Sequence, residues 1–566
     1  MRRTAIIQES TLSATSFVVW NNKRRNLCRF KYALTFLSAD DIINYIKPSL
    51  ERHAGCDIVD LYPGVGLWSR KIHELLNPRS HLLLEPNAKI YKPFLEPLLS
   101  KPNTQLLQKS GIVWSELNSV LTPEFLPHQV PHDPRSSDPP KRNDTLLVLA
   151  NISFFPKRKW AEHNDLCNLL LFQFIRSIRS STLFQKYGLV RMLLWANDGD
   201  KATLLPRFYQ KRNRLAVEGE LATEWLTEVA GGDMEADEGR YRRWRGIDVE
   251  STQNVLAKMA DQGFVIPAGR ETNIVQELRS GGNTWKPGQL ALPIYKELAQ
   301  LEADLAKSKL GKEDPKHKRL QVLRYTRTNE DKIANVVARH MEQYEQILER
   351  LAKDRERPGN ERGQNPSEDA QKAQRDFTMM FEAMSSTIQG RFMLARHNLH
   401  LFRQDLPVLS WDRRYVEPLV VKPEEFFPNS PCCLLDIQPK AGHPLLRDPQ
   451  TSAVFDLLLQ RILSAAPPLT RIFDAFSPGA ADGVLGKCDK IYDPTAHGIP
   501  LKGAGELWPR AMNQAQLENI IEAWKQWPFA PSYRTMLGQL ADVLEGQGGD
   551  EPEHNSGRIM GTYDLP

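Results

Sequence analysis

The stretch Cys56-Asp57-Ile58-Val59-Asp60-Leu61-Tyr62-Pro63-Gly64-Val65-Gly66 decides the fold. Its first half is a short apolar strand. Its second half is a glycine turn, and a helical segment follows to about Leu76. Glycines at the end of a first strand let backbone approach a ligand closely, while the next helix offers unpaired N–H groups. His81 to Glu85 reads as a second buried strand ending in an acid. Further strands are expected at Gln105–Leu107, Thr145–Asn151 and Leu189–Trp195, with a strong helix over Asn168 to Tyr187. Near-continuous apolar strands alternating with helices predict an α/β fold with a mostly parallel sheet covered on both faces.

Outward from this centre, Asp40 and Asp41 precede Ile42, Ile43, Tyr45 and Ile46, the pattern of an N-capped helix. Residues 127–144 are rich in Pro, His, Asp and Ser and read as a surface insertion. Residues 217–250, acidic and then basic-aromatic, read as a second one. Beyond Leu292, Val337, Met341, Tyr344, Ile347, Leu348 and Leu351 recur at helical steps. Residues 354–375 are polar and expected to be disordered. A helix follows over 376–401, then an irregular proline-rich stretch over 411–439, then helices over 450–463 and 514–544. The expected organisation is therefore a basic segment at 1–29, an α/β domain at 30–290 carrying both insertions, a mainly helical region at 291–544 and a tail at 545–566.

Hydrophobic residues make up 41% and charged residues 25% of the 566, which fits a globular chain rather than a disordered one. No apolar run is long enough to span a bilayer, so no membrane partner is expected. The six cysteines lack paired C-x-x-C spacing; they read as reduced thiols, and no metal site is expected. The first 31 residues hold seven Arg or Lys against one acid, Glu9, as in a mitochondrial targeting segment.

The chemistry concentrates at strand ends. Glu85, after the second strand, has the place of an acid that accepts hydrogen bonds from ribose hydroxyls. Asn151-Ile152-Ser153-Phe154 follows the fourth strand. An Asn side chain there can hold an adenine amino group while an aromatic ring stacks on the base. Three clusters join cations to aromatics: Lys157-Arg158-Lys159-Trp160; Phe208 with Lys211, Arg212 and Arg214; and Arg240 to Arg245, including Arg242, Arg243 and Trp244. Cations neutralise phosphates and rings stack on unpaired bases, so together these point to nucleic acid. Any one cluster alone reads rather as a solvated basic surface.

In order, these segments resemble the ribosomal-RNA adenine N6-dimethyltransferase superfamily, and within it the fungal transcription factor B type specificity factors of mitochondrial RNA polymerase. Thr35-Phe36-Leu37-Ser38 is similar to that family's Gln-Asn-Phe-Leu opening. Tyr62-Pro63-Gly64-Val65-Gly66 resembles the fungal form of the glycine motif. Leu83-Leu84-Glu85, Tyr91-Lys92, Leu149-Ala150-Asn151, Tyr187-Gly188 and Met192-Leu193-Leu194-Trp195 continue the likeness over residues 30–215. The resemblance implies a Rossmann-like S-adenosylmethionine-dependent methyltransferase fold with a helical C-terminal domain. It implies cofactor contacts at Leu37, Tyr62, Gly64, Gly66, Glu85, Ser110 and Asn151, with Asn151 and Phe154 as the catalytic pair if the chain is active.

Three departures argue against catalysis. Tyr62 stands where the enzymes have their first glycine. Ser110 stands where they have an Asp. Ser153 stands where a proline is usual. The resemblance therefore implies an initiation factor in the mitochondrial matrix, with mitochondrial RNA polymerase and melted or single-stranded promoter DNA as partners. Two rivals are an active mitochondrial rRNA adenine N6,N6-dimethyltransferase using S-adenosylmethionine, with rRNA as partner, and a scaffold whose helical insertions bind proteins.

Overall fold

A computed structural model describes residues 33–546, apart from 35, 134–135, 137, 154–165, 234–242, 282–286, 291, 308–314, 359, 361–364, 428 and 465–467. The expected basic segment and nearly all of the expected tail lie outside these residues. Ten strands occur among them: β1 (Ala33–Leu34), β2 (Asp57–Leu61), β3 (Ser80–Leu84), β4 (Thr104–Leu107), β5 (Arg142–Asn151), β6 (Leu189–Asn197), β7 (Thr223–Gly231), β8 (Leu419–Val420), β9 (Phe426–Phe427) and β10 (Cys432–Pro439). Eight form one sheet in the order β4-β3-β2-β5-β6-β10-β7-β8.

The expected parallel core is present. β3, β2, β5 and β6 are neighbours and all their pairings are parallel, with Val59 opposite both Leu82 and Val148. Their side chains are mainly apolar on both faces because both faces are covered, with Asp57, Asp60, His81 and Arg191 as buried exceptions. On one face Leu61, Leu146, Val148, Met192 and Leu194 pack with Leu170, Leu171 and Phe174 of the helix Leu166–Ser180. On the other, Ile58, Leu147, Leu149 and Leu193 pack with Ile42 and Ile46 of the helix Phe36–Leu50, and with Trp68 and Ile72 of the helix Leu67–Leu76. The first of these helices begins four residues before Asp40, so the two acids are not its cap. They form ion pairs instead, Asp40 with Lys71 and Asp41 with Arg270.

The expected boundary near residue 290 does not bound the sheet. β10, at 432–439, lies between β6 and β7 and runs antiparallel to both. Nor is 217–250 one insertion. Arg214–Ala222 is a buried helix, and β7 follows it into the sheet. The intervening chain, residues 232–431, leaves the sheet after β7, adds the short edge strand β8 beside it, and returns as β10 between β6 and β7. Buried ionic contacts hold charged residues in and beside these strands. Arg191 of β6 pairs with Asp436 of β10, Lys201 pairs with Glu228 of β7, and Arg212 pairs with Glu220 just before β7.

The helical part is built from both the insertion and the C-terminal chain. Val337, Met341 and Tyr344 of the helix Pro315–Arg355 share one core with Phe377, Phe392, Phe455, Phe473, Ile520 and Trp524. The stretch expected to be disordered, 354–375, is in part regular. Asp354 and Arg355 end one helix, and Glu368–Glu382 begins the next, capped by Ser367, whose hydroxyl accepts the Ala370 N–H. The expected helix over 514–544 is two, Gln514–Gln526 and Tyr533–Gly546, separated by Pro528 and Pro531. Among the described residues no helix is long and apolar enough to cross a membrane.

Candidate functional site

A cleft opens at the carboxyl ends of β2, β5 and β6, beside the start of β10. In open α/β sheets that end is where ligands bind. Its walls include Asp60 of β2, Tyr62 and Val65 from the glycine turn, and Ala150, Asn151 and Ser153 at the end of β5. Trp68, Trp195, Phe426 and Cys432 complete them. Trp195 stands edge-on to Trp68, with ring centroids 5.6 Å apart, and meets Phe426 at 5.8 Å. Burial pushes the Cys432 thiol up to about 12, so it supplies no thiolate. No group of His, Cys, Asp and Glu suited to a metal occurs among the described residues.

The turn that shapes the cleft depends on Gly66. Its φ is +75°, which L side chains rarely adopt, and a Cβ there would lie 2.5 Å from Leu95 Cδ2 of the helix Ala88–Leu99, so that side chain would have to shift. Gly64, at φ +59°, makes the same turn. Tyr62 also has a positive φ, +62°, the conformation a glycine would take without strain. The backbone thus keeps the glycine shape while carrying a ring.

That ring reaches from the end of β2 towards the end of β4. The Tyr62 hydroxyl and Ser110 Oγ are 2.6 Å apart and hydrogen-bonded. Tyr62 follows β2 and Ser110 follows β4, with β3 between them. The side chain therefore crosses the end of β3, where Glu85 sits fully buried and accepts the Asn87 N–H at 3.1 Å. Ser110 is fixed in turn by its N–H, which donates to Glu116 Oε2 at 2.6 Å. A ribose would need the Glu85 carboxylate, and an adenine would need the edge near Ser110. In this arrangement the residues present do not fit S-adenosylmethionine, because the ring would have to leave first.

Asn151 is engaged as well. Its Oδ1 accepts the Ser153 hydroxyl at 2.6 Å and the Ser153 N–H at 3.2 Å. A proline at 153 would offer neither donor. The oxygen expected to meet an adenine amino group is thus held by the residue that replaces the proline. Phe154 and the cluster Lys157, Arg158, Lys159 and Trp160 lie outside the described residues. The backbone of Leu37 is in the first helix, and its side chain lies outside the description.

The other two basic clusters are largely structural. Arg212 is buried; its Nη2 donates to Glu220 Oε2 at 2.6 Å and its Nη1 to the Met512 carbonyl at 2.7 Å. Arg243 is buried between Asp248 and Asp412. Neither can reach a phosphate, which corrects the expectation for both. Arg214 donates to Glu218 at 2.7 Å, and Lys211 lies 5.5 Å from the Phe208 ring centroid. Trp244 packs against the helical core and bridges to Leu290. Arg242 lies outside the described residues. The cleft aromatics Trp68 and Phe426 were not anticipated. Phe426 sits in the stretch read as irregular, where the only hint was the pair Phe426-Phe427.

Comparison with known sequences agrees with this geometry. Residues 25–230 match the ribosomal RNA adenine dimethylase family, whose members use S-adenosylmethionine. Mitochondrial transcription factor 1 of Saccharomyces paradoxus is 28% identical over 187 residues, 32% of this chain and 50% of the relative. The protein of that name from Saccharomyces cerevisiae gives the same figures, and that of Lachancea kluyveri is 23% identical over 181 residues, 31% of this chain and 48% of the relative. The chain spans about half the length of the curated relatives it matches.

Proposed function

We propose, from a ribosomal RNA adenine dimethylase domain whose nucleoside cradle is filled by its own side chain, that this chain is a mitochondrial transcription initiation factor. The relatives it matches carry the name mitochondrial transcription factor 1. The observation that carries the reading is the Tyr62–Ser110 contact across the end of β3. It removes the reason for the fold to bind a methyl donor and leaves the aromatic cleft beside Asn151. Trp68, Trp195 and Phe426 give that cleft an apolar floor against which an unpaired base could lie. Lys157, Arg158, Lys159 and Trp160 follow β5 directly and would hold the strand that enters. Mitochondrial RNA polymerase and melted promoter DNA are the partners of this reading, and the mitochondrial matrix is its place.

The test is fluorescence anisotropy over a salt series with duplex, bubble and single-stranded probes of equal length. Bubble and single-stranded DNA should bind more tightly than duplex. Replacing Lys157, Arg158 and Lys159 by Ala should lower the slope of log affinity against log salt by roughly 2–2.7, three contacts at about 0.7–0.9 each. Trp160→Ala should cost about 1–3 kcal/mol with little change in slope. Equal affinity for all three probes would overturn the reading.

One set of observations favours the rival: Gly64, Gly66, Glu85 and Asn151 all keep their places in the enzyme pattern. Transfer of labelled methyl groups to the adenines of an rRNA hairpin would establish it. For location, residues 1–40 fused to a fluorescent reporter should enter mitochondria; a reporter that stays cytosolic removes the targeting role of that segment.

A further inference from the structure

The insertion between β7 and β10 contains the 41-residue helix Pro315–Arg355. One of its faces is buried through Ala334, Val337, Met341, Tyr344, Ile347 and Leu351. The opposite face carries Lys318, Val322, Tyr325, Asn329, Lys332, Val336 and Arg339. Their steps of four and three residues keep them in one stripe along the helix. All but the half-buried Val336 are exposed, Tyr325 to 72%.

Charge is sorted around this helix. Arg319 and Arg324, off the stripe, are paired with Glu297 and Glu302 of the helix Pro293–Lys307. Glu330 accepts Arg391, and Asp331 accepts the side chain of Gln289. The stripe itself has three cations and no carboxylate. Lys332 and Arg339 have no ion-pair partner among the described residues. The first half of the helix also stands apart from the main core. Leu320 and Leu323 pack with Leu298 in a small separate cluster, so this half and Pro293–Lys307 form a two-helix hairpin with its own packing.

We propose that this stripe docks the backbone of duplex DNA flanking the melted region; the proposal rests on the promoter-binding reading above. A rise of about 1.5 Å per residue puts Lys318 and Arg339 about 32 Å apart along a rigid rod. That is close to the roughly 34 Å of one turn of B-form duplex. A single strand would call for several stacking rings, and Tyr325 is the only ring on the stripe. A sequence-indifferent duplex contact needs spaced cations on a stiff support, and that is what this face offers.

The experiment uses the full chain and two bubble probes. One has short arms; the other has one arm lengthened by about 30 base pairs, roughly three duplex turns. The long arm should raise affinity roughly tenfold at low salt and steepen the salt slope by about 2.7, three contacts at about 0.9 each. The variant with Lys318, Lys332 and Arg339 all changed to Gln should lose both gains and keep its affinity for the short-arm probe. Lys332→Glu alone, an exposed change checked for helix content by circular dichroism, should lose part of them. No gain from the long arm in the parent, or a gain that survives in the variants, overturns the proposal. So does an equal gain from an RNA duplex arm, which would move the assignment away from DNA. Failure of the parent on the short-arm probe would instead count against the promoter-binding reading.

Discussion

Arg191→Leu should lower the free energy of unfolding by about 3–5 kcal/mol, because it leaves the Asp436 carboxylate buried without its cation. Arg191 and Asp436 are both fully buried. The guanidinium Nε donates to Asp436 Oδ1 at 2.8 Å, and Nη1 donates to the Ser49 carbonyl at 2.6 Å. The Tyr415 hydroxyl donates to the same carboxylate at 2.7 Å. One ionic group thus ties β6, β10, the first helix and the end of the insertion together. Desolvating both charges is costly, so the intact pair adds little over an apolar pair of similar volume. The double change Arg191→Leu with Asp436→Leu should therefore recover more than half of the loss. Denaturant titration of the parent and both variants measures this. A single-variant loss below about 1 kcal/mol, the size of an exposed ion pair, would show that the contact does not brace the sheet.

Tyr62→Gly should act in two directions at once. Removing a buried aromatic ring costs about 3–5 kcal/mol through lost burial and the cavity left behind. Relief of the left-handed conformation returns about 1–2 kcal/mol, since glycine adopts φ near +62° freely. The net expectation is a variant less stable by roughly 1–4 kcal/mol, within reach of denaturant titration. The same change opens the space over Glu85. Affinity for S-adenosylmethionine, measured by calorimetry, should be undetectable in the parent at low micromolar protein and rise at least roughly tenfold in the variant, about 1.4 kcal/mol or more. A stable variant with no gain would mean that the ring is not the obstacle, and tight binding by the parent would mean that the cradle opens on its own.

The parallel core was legible because its strands are buried on both faces and so read as near-continuous apolar runs: Ile58 to Leu61, broken only by Asp60, Leu82 to Leu84, and Leu146 to Ala150. β7 and β10 were not, and the reason is electrostatic. β7 contains Glu224 and Glu228, and β10 contains Asp436 and Gln438, which look like surface residues in a linear string. Lys201 neutralises Glu228 from 27 positions away, and Arg191 neutralises Asp436 from 245. No local window holds both members of either pair. The same blindness worked in reverse for Arg212 and Arg243. Their neighbours made them look like free cations, whereas Glu220 and Asp412 bury them. At the site, the glycine turn, Glu85 and Asn151 could be found by spacing. The role of Ser153 could not, because its effect lies in two hydrogen bonds to Asn151 rather than in its absence of a ring. Trp68, Trp195 and Phe426 meet only after three separate segments fold.

The late arrival of β10 also sets an order of events during synthesis. About 200 residues separate the end of β7 from the start of β10. At roughly 5–20 residues per second, a ribosome needs on the order of 10–40 s to cross that distance. Over that interval the edges of β6 and β7 that will flank β10 stay unpaired, the kind of surface that recruits foreign strands. The nascent chain must carry two open edges through a pause longer than most domains take to fold. Closure of the sheet then draws the two ends of the insertion together in one step. The strand that joins β6 to β7 in the finished sheet is therefore the last of the described strands to be made.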